Sequence, residues 1–180
     1  MFNFTERCKD TVQATNPQSA DVVFVMEQKT CNSEVSGKLP MLAQLIDRSL
    51  STKGLTGNRF GLIGYGGSGV YDLPHTHTIG SEVMGSARDM AADALDFIPD
   101  GSNTDTIGAM KMAAEYPFRA GVAKVMVVLA CGPCMEQDMK FADMAAELKN
   151  QKIQLHLLVE HEFMMAAQDS TPKTNYLFGK

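Results

Sequence analysis

Four short, almost wholly apolar segments alternate along this 180-residue chain with longer segments whose apolar residues recur at helical spacing. In Asp21–Met26 the apolar residues occupy successive rather than alternate positions, so we expect this strand to be covered on both faces. Strands that alternate with helices predict an α/β fold of three layers, with a mostly parallel central sheet and helices on both faces. The predicted strands are Asp21–Met26, Phe60–Tyr65, Val122–Leu129 and Ile153–Val159.

The segments between these strands carry the helical patterns. A further short strand is predicted within Val70–Ile79, and Pro74 marks it as an edge strand, because a proline cannot donate to a neighbour. Ligands bind outside the carboxyl ends of parallel strands, so the loops expected to matter are residues 27–37, 66–69, 99–106 and 130–135. Helices are predicted at Lys38–Ser51, from a cap at Ser81 or Ser86 to residue 98, at Thr106–Tyr116, at Met135–Asn150, and in a short segment ending near Gln168.

Length and charge bound the domain organisation and the partners. The chain is long enough for one domain, assigned to residues 21–168, with an N-terminal arm over 1–20 and a C-terminal linker over 169–180. The net charge of −5, without a basic cluster, argues against nucleic acid or an anionic membrane surface as the main partner. No apolar run approaches the roughly 18 residues of a membrane span, so no direct membrane insertion is expected.

Residues 21–31 resemble the first strand and loop of a von Willebrand factor type A domain; they read Asp-Val-Val-Phe-Val-Met-Glu-Gln-Lys-Thr-Cys. The resemblance continues in the right order along residues 20–165. Asn58–Tyr65 resembles the second strand, Gly101–Met110 the loop that supplies the metal-binding threonine, and Lys124–Gly132 the fourth strand. This resemblance implies the three-layer, Rossmann-like fold of the family, with its site at the carboxyl ends of the strands.

The resemblance fails at the metal-binding positions. The family holds a divalent cation with Asp-x-Ser-x-Ser after the first strand, but Glu27, Lys29 and Cys31 stand at those positions here. Thr104 matches the family's threonine, whereas Cys131 replaces the aspartate of the Thr-Asp-Gly that follows the fourth strand. A hard cation needs oxygen ligands, so an amine and thiols cannot complete the set. The resemblance therefore implies a degenerate site with no metal and no other cofactor.

The four cysteines offer a covalent replacement for the metal. In the family, the loops after the first and fourth strands face each other. This implies a disulfide between Cys31 and either Cys131 or Cys134, with the remaining cysteine paired to Cys8. On the chain-entropy account, closing a loop of about 100 residues stabilises the folded state by about 4–5 kcal/mol. Four buried free thiols are the alternative.

Cys131-Gly-Pro-Cys134 supports a competing interpretation, because it is identical to the thioredoxin active-site motif. It follows an apolar strand and precedes a predicted helix, whose N-terminus would favour the thiolate. Against this, Ala130 stands where thioredoxins usually have tryptophan, and the residues after the motif are too few for the rest of that fold. A thiol–disulfide oxidoreductase that uses both cysteines stays open as an alternative.

Two further patterns bear on cation sites. Lys29 can place its ammonium where the cation would be, near Glu27, Thr104 and Asp105; the alternative is a solvated surface lysine. His75 and His77 alternate on the predicted edge strand, so both point to one face, and two such histidines can seed a metal site. No third ligand is obvious near them in the sequence, which favours an ordinary exposed pair.

Together these features predict a non-catalytic interaction or structural module of a larger secreted, extracellular protein, bound to an unidentified protein partner or receptor. The chain also resembles the type A insert of arthropod large lipid transfer proteins of the apolipophorin and vitellogenin type, which implies a lipid-carrying haemolymph or yolk lipoprotein as the parent. Asn3 begins a glycosylation sequon, as expected of a secreted glycoprotein. A metal-dependent adhesion domain with substituted ligands is the remaining alternative.

Overall fold

A computed structural model of the chain describes residues 17–92, 101–131, 139–159 and 175–176. Its strands are β1 (Ala20–Glu27), β2 (Arg59–Tyr65), β3 (His75–His77), β4 (Met84–Gly85), β5 (Ala123–Ala130), β6 (Ile153–Val159) and β7 (Asn175–Tyr176). They form one sheet in the order β3-β2-β1-β5-β6-β7, with β4 also paired to β2. The short strands β3 and β4 run antiparallel to β2, and every other pair is parallel.

Helices cover both faces of this sheet, which confirms the predicted three-layer α/β fold. On β1, Val22 and Phe24 pack with the helices at residues 33–52 and 87–92 in one core cluster, whereas Val23 and Val25 pack with the helices at residues 106–114 and 141–150 in another. This alternation explains why the strand is apolar at successive positions. The helices are α1 (Ser33–Thr52), α2 (Ala87–Ala92), α3 (Thr106–Ala114) and α4 (Phe141–Asn150).

A buried carboxylate anchors the amino-terminal end of β1. Asp21 is fully buried and forms ion pairs with Arg59, at 2.9 Å, and with Arg119, at 2.6 Å. Arg119 also donates its backbone N–H to the same carboxylate, at 2.8 Å. Burial raises the pKa of Asp21, but the hydrogen bonds from the two arginines outweigh it and hold the pKa below its usual value. The pairing ties β1 to β2 and to the segment before β5.

The starts of two helices differ from the predictions. α1 begins at Ser33 rather than Lys38, because a 3-10 turn at Thr30–Asn32 leads directly into it, and Pro40 lies inside the helix. α4 begins at Phe141 rather than Met135, because the backbone of the preceding residue is extended, with φ −76° and ψ 149°. Residues 132–138 lie outside the described part of the chain.

The segment after β2 is less regular than predicted. Within Val70–Ile79 only His75–His77 is a strand, because Gly69, at φ +64°, leads into a 3-10 turn at Gly69–Tyr71. The short strand β4 was not predicted at all. Ser86 does cap α2, since its hydroxyl accepts from the backbone N–H of Asp89 at 3.1 Å. The arm before residue 17 and the predicted helix near residue 168 lie outside the described residues.

Candidate functional site

The carboxyl ends of the three central strands meet at one edge of the sheet. β1 ends at Glu27, which lies beside Tyr65 of β2, and Met26 lies beside Leu129 of β5. The loops that leave this edge, together with residues 101–105 before α3, hold all five positions that the sequence assigned to the degenerate metal site. We therefore describe these loops as the candidate site.

A disulfide joins two of these loops. Cys31, in the turn after β1, is bonded to Cys131, directly after β5, with the Cα atoms 6.2 Å apart. Cys31 is exposed and Cys131 is partly buried. The bond confirms one of the two predicted partners of Cys31. Cys8 and Cys134, the other disulfide candidates, lie outside the described residues, as does the glycosylation candidate Asn3.

Glu27 reinforces this connection. Its carboxylate oxygen Oε2 accepts the backbone N–H of Cys131 at 2.8 Å, and the residue is 2% exposed. Asn32 adds a second bridge, because its amide nitrogen donates to the carbonyls of Glu27, at 2.8 Å, and Leu129, at 3.2 Å. Glu27, at the first predicted position of the degenerate metal site, therefore accepts the backbone N–H that directly follows β5.

Lys29 reaches the segment before α3, residues 101–105, which we call the third loop. Its ammonium donates a hydrogen bond to the carbonyl oxygen of Gly101, whose own N–H donates to the carbonyl of Gly66 at 2.9 Å. A Cβ added to Gly66 would lie 3.5 Å from Cγ of Glu27, 3.6 Å from Cε of Lys29 and 2.7 Å from the carbonyl of Asn103. The stem of the lysine therefore lies between the three loops. Its observed partner is a carbonyl of the third loop.

Two carboxylates hold the loop before α3, one from the loop after β2 and one from the loop before α3 itself. Asp72, which the sequence did not single out, accepts the N–H of Asn103 at 2.7 Å and the hydroxyl of Ser102 at 3.1 Å. The backbone hydrogen bond from Asn103 is the main cause that lowers the pKa of Asp72, and the charge of Lys29 lowers it further. Asp105 caps α3 by accepting the N–H of Gly108 at 2.8 Å.

Thr104, which the sequence resemblance matched to a metal-binding threonine, lies on the same loop. It is partly buried, and its carbonyl accepts the N–H of Thr106 at 2.8 Å. In the part of the chain that the structure describes, no group of three or more His, Cys, Asp or Glu side chains is arranged to hold a metal ion. None of the described helices is long and apolar enough to cross a membrane.

Two contacts in this site could not be predicted from the sequence because they depend on backbone groups. Asn32 follows the three metal positions without belonging to them, and Gly101 matters through its carbonyl and its lack of a side chain. A Cβ at Gly101 would collide with the carbonyl of Gly67 and with the carboxylate of Asp72. The only sequence signal for this contact is the Gly101-Ser102-Asn103 turn composition.

Comparisons with known proteins do not assign the chain to a family. No protein-family model matches the sequence, and no curated protein matches it. A functional assignment therefore depends on the residues of this chain and on the arrangement described above.

Proposed function

We propose that the chain is a non-catalytic protein-interaction module of the von Willebrand type A kind, in which a disulfide and a lysine replace the metal ion. The observation that carries the proposal is the Cys31–Cys131 bond between the loops after β1 and β5. In the family those two loops face each other across the cation. Lys29 supplies a positive charge in the same region and is hydrogen-bonded to the third loop.

This replacement changes what the edge of the sheet can do. A metal adhesion site offers an open coordination position to a carboxylate of the partner, and it depends on the concentration of the free cation. A disulfide offers no such position and keeps the loops together without a cation. The module is therefore expected to hold one loop arrangement constitutively and to bind its partner through side chains.

The loop after β2 supplies the side chains that we expect to contact a protein partner. Val70 is 84% exposed and Leu73 is 68% exposed, and both lie on the loop that carries Asp72. Asp72 connects this loop to residues 102 and 103 of the candidate site. Large apolar side chains that protrude together from an ordered loop are typical of protein-binding surfaces. We propose that a partner with a small apolar pocket binds here.

The proposed location is extracellular. Disulfides persist in oxidising compartments and are rare in the cytosol, so the Cys31–Cys131 bond supports a secreted parent protein. The resemblance to the insert of arthropod lipid transfer proteins leads us to propose a lipid-carrying parent. In that setting the module would stand on the particle surface and connect it to a receptor.

A cation titration tests the loss of the metal site. Oxidised protein is melted with increasing Mg²⁺ or Ca²⁺, and we expect an unchanged melting temperature, since a ligand that binds only the folded state must raise it. A saturable rise that disappears in a Thr104→Ala variant would contradict the proposal and favour the adhesion domain with substituted ligands. Glu34→Gln, on an exposed residue of α1, is the control for general charge effects.

A capture experiment tests the interaction loop. The protein is immobilised and exposed to extracellular fluid of its source, beside a Val70→Ser/Leu73→Ser variant. Met41→Ser/Leu45→Ser is the matched control, because these two apolar residues on α1 are each about half exposed, at 54% and 51%. We expect a protein that binds the wild type and the control but not the loop variant. If the Val70→Ser/Leu73→Ser variant captured the same protein as the wild type, the proposed surface would be contradicted.

The thiol–disulfide oxidoreductase hypothesis receives less support. Cys131 is bonded to Cys31, not to Cys134 of the Cys-Gly-Pro-Cys motif. However, Cys31 is exposed, so a reductant can reach the bond. An insulin-reduction assay separates the two hypotheses: activity that is lost in a Cys134→Ser variant would favour the oxidoreductase, and the interaction module predicts none.

A further inference from the structure

We propose that His75, His77 and Gln28 form a binding site for a divalent transition metal such as Zn²⁺, separate from the disulfide-linked loops. The two histidines alternate on β3 and lie across from β2, where His75 pairs with Gly64 and His77 with Leu62. Gln28 follows the end of β1. The three side chains thus come from the two strands that flank β2, with both histidines on β3 and Gln28 just after β1.

The distance between the imidazoles fits a shared metal ion. The Nε2 atoms of His75 and His77 are 3.1 Å apart. With zinc–nitrogen bonds of about 2.05 Å, two nitrogens at that separation subtend roughly 98° at the metal, which is close to the tetrahedral and octahedral angles. Imidazole nitrogen is a ligand that zinc, copper and nickel prefer and that calcium and magnesium do not.

The hydrogen bond of His75 prepares it for this role. Its Nδ1 lies 2.8 Å from the carbonyl oxygen of Leu73, and a carbonyl only accepts, so Nδ1 carries the proton. In the neutral ring, Nε2 then presents its lone pair toward His77. Metal-ligating histidines usually donate their second N–H to a carbonyl or carboxylate in this way, which fixes the ring orientation.

Gln28 contributes the third polar group. The residue is 1% exposed, and its Nε2 lies 3.4 Å from Nε2 of His77. Its Oε1 is buried and has no hydrogen-bond partner within the described ranges. Burying an amide oxygen without a partner is costly, so such a group is expected to have a function. Rotation of the amide by half a turn brings this carbonyl oxygen toward the histidines, where it can ligate a metal.

Gly64 leaves the space in which these groups converge. A Cβ on Gly64 would lie 2.7 Å from Nε2 of His75, 2.8 Å from Nε2 of His77 and 2.9 Å from Nε2 of Gln28. Three polar atoms from separate parts of the chain therefore surround one position that only glycine leaves empty. His75 and His77 are partly exposed, so water can supply the remaining ligands.

Isothermal titration of chelator-treated, oxidised protein with Zn²⁺ tests the site, with Co²⁺ absorption as a second readout of ligand geometry. We expect one saturable site, and we expect His77→Gln and Gly64→Ala each to weaken it by about tenfold or more. His156→Gln, on β6, is the matched control for a histidine elsewhere, and Thr76→Ala is the control for changes in β3.

Circular dichroism of each variant establishes that it is folded, and His77→Gln, on a partly exposed edge strand, keeps the test valid if Gly64→Ala does not fold. Either absence of saturable Zn²⁺ binding by the wild type, or a loss below about tenfold in His77→Gln, would overturn the proposal. Because Mg²⁺ and Ca²⁺ prefer oxygen ligands, failure of this site leaves the cation test of the degenerate loops unaffected.

Discussion

The carboxylate of Glu27 accepts the backbone N–H of Cys131 at 2.8 Å, although 104 residues separate them in sequence. The contact lies beside the Cys31–Cys131 bond, so a covalent and a polar connection join β1 and β5 at the same edge. The residue at the first predicted position of the degenerate metal site thus accepts the backbone N–H that directly follows β5.

Loss of this acceptor is expected to weaken the edge. Glu27→Ala leaves the N–H of Cys131 without its carboxylate, and we expect the free energy of unfolding to fall by about 1–3 kcal/mol. Glu27→Gln retains an acceptor oxygen of the same reach and should cost less. Urea denaturation of both variants checks this, and an equal loss in the two would show that the hydrogen bond is not what matters.

Removal of the disulfide is expected to have a larger effect. A Cys31→Ser/Cys131→Ser variant loses the constraint on a loop with a sequence separation of 100 residues, and the chain-entropy account gives a loss of up to about 4–5 kcal/mol. The melting temperature of the variant and of the reduced wild type should fall together. A wild-type melting temperature that is the same with and without reductant would contradict this prediction.

Asp21→Asn is expected to destabilise the amino-terminal end of β1 by about 3–5 kcal/mol, because Arg59 and Arg119 lose their shared carboxylate. The wild-type protein should also be sensitive to acid. The folded-state pKa of Asp21 lies below its ordinary value of 3.8, so its contribution is fully present above that value and is lost as the pH falls through the folded-state pKa.

Urea unfolding near pH 7 and in steps below pH 4 measures both effects of Asp21. The wild type should lose stability over the acid range more steeply than Asp21→Asn does, because only the wild type has this carboxylate to protonate. Parallel pH profiles for the two proteins would assign the acid sensitivity to other groups.

Two glycine substitutions are expected to have opposite signs. Gly101→Ala would bring a Cβ against the carbonyl of Gly67 and the carboxylate of Asp72, and we expect a loss of about 1–3 kcal/mol. Gly37→Ala, inside α1 with no atom within 4 Å of the added Cβ, should instead stabilise the helix by about 0.5–1 kcal/mol. Thermal melts compare the two variants directly, and a harmless Gly101→Ala would contradict the packing of these loops.

The sequence predicts the fold better than it predicts the site. Buried parallel strands are apolar at successive positions, so β1, β2 and β5 stand out locally, and β6 is recognisable from its apolar residues at 153, 155, 157, 158 and 159. The start of α1 cannot be recognised in the sequence, because Pro40 suggests a later beginning and the turn before Ser33 has no distinctive pattern. Strands as short as β4 offer too few residues for any periodicity.

Long-range contacts explain what the sequence could not predict of the site. The Cys31–Cys131 bond is one of the two pairings of Cys31 that the family resemblance implied by placing two distant loops opposite each other. The bond of Asp72 to Asn103 and the position of Gln28, 49 residues before His77, depend on how the loops and strands are arranged. No local pattern carries that information.

The covalent link between Cys31 and Cys131 also determines how the chain responds to a pulling force applied at its two ends. The residues between the cysteines, with a sequence separation of 100, include all of α1, β2 and α3 and remain out of the load path while the bond is intact. At about 3.4 Å per extended residue, the bond prevents roughly 340 Å of contour length from extending under load. In the large secreted parent protein that we propose, the oxidised module would act as a short tether, and reduction would release the extra length.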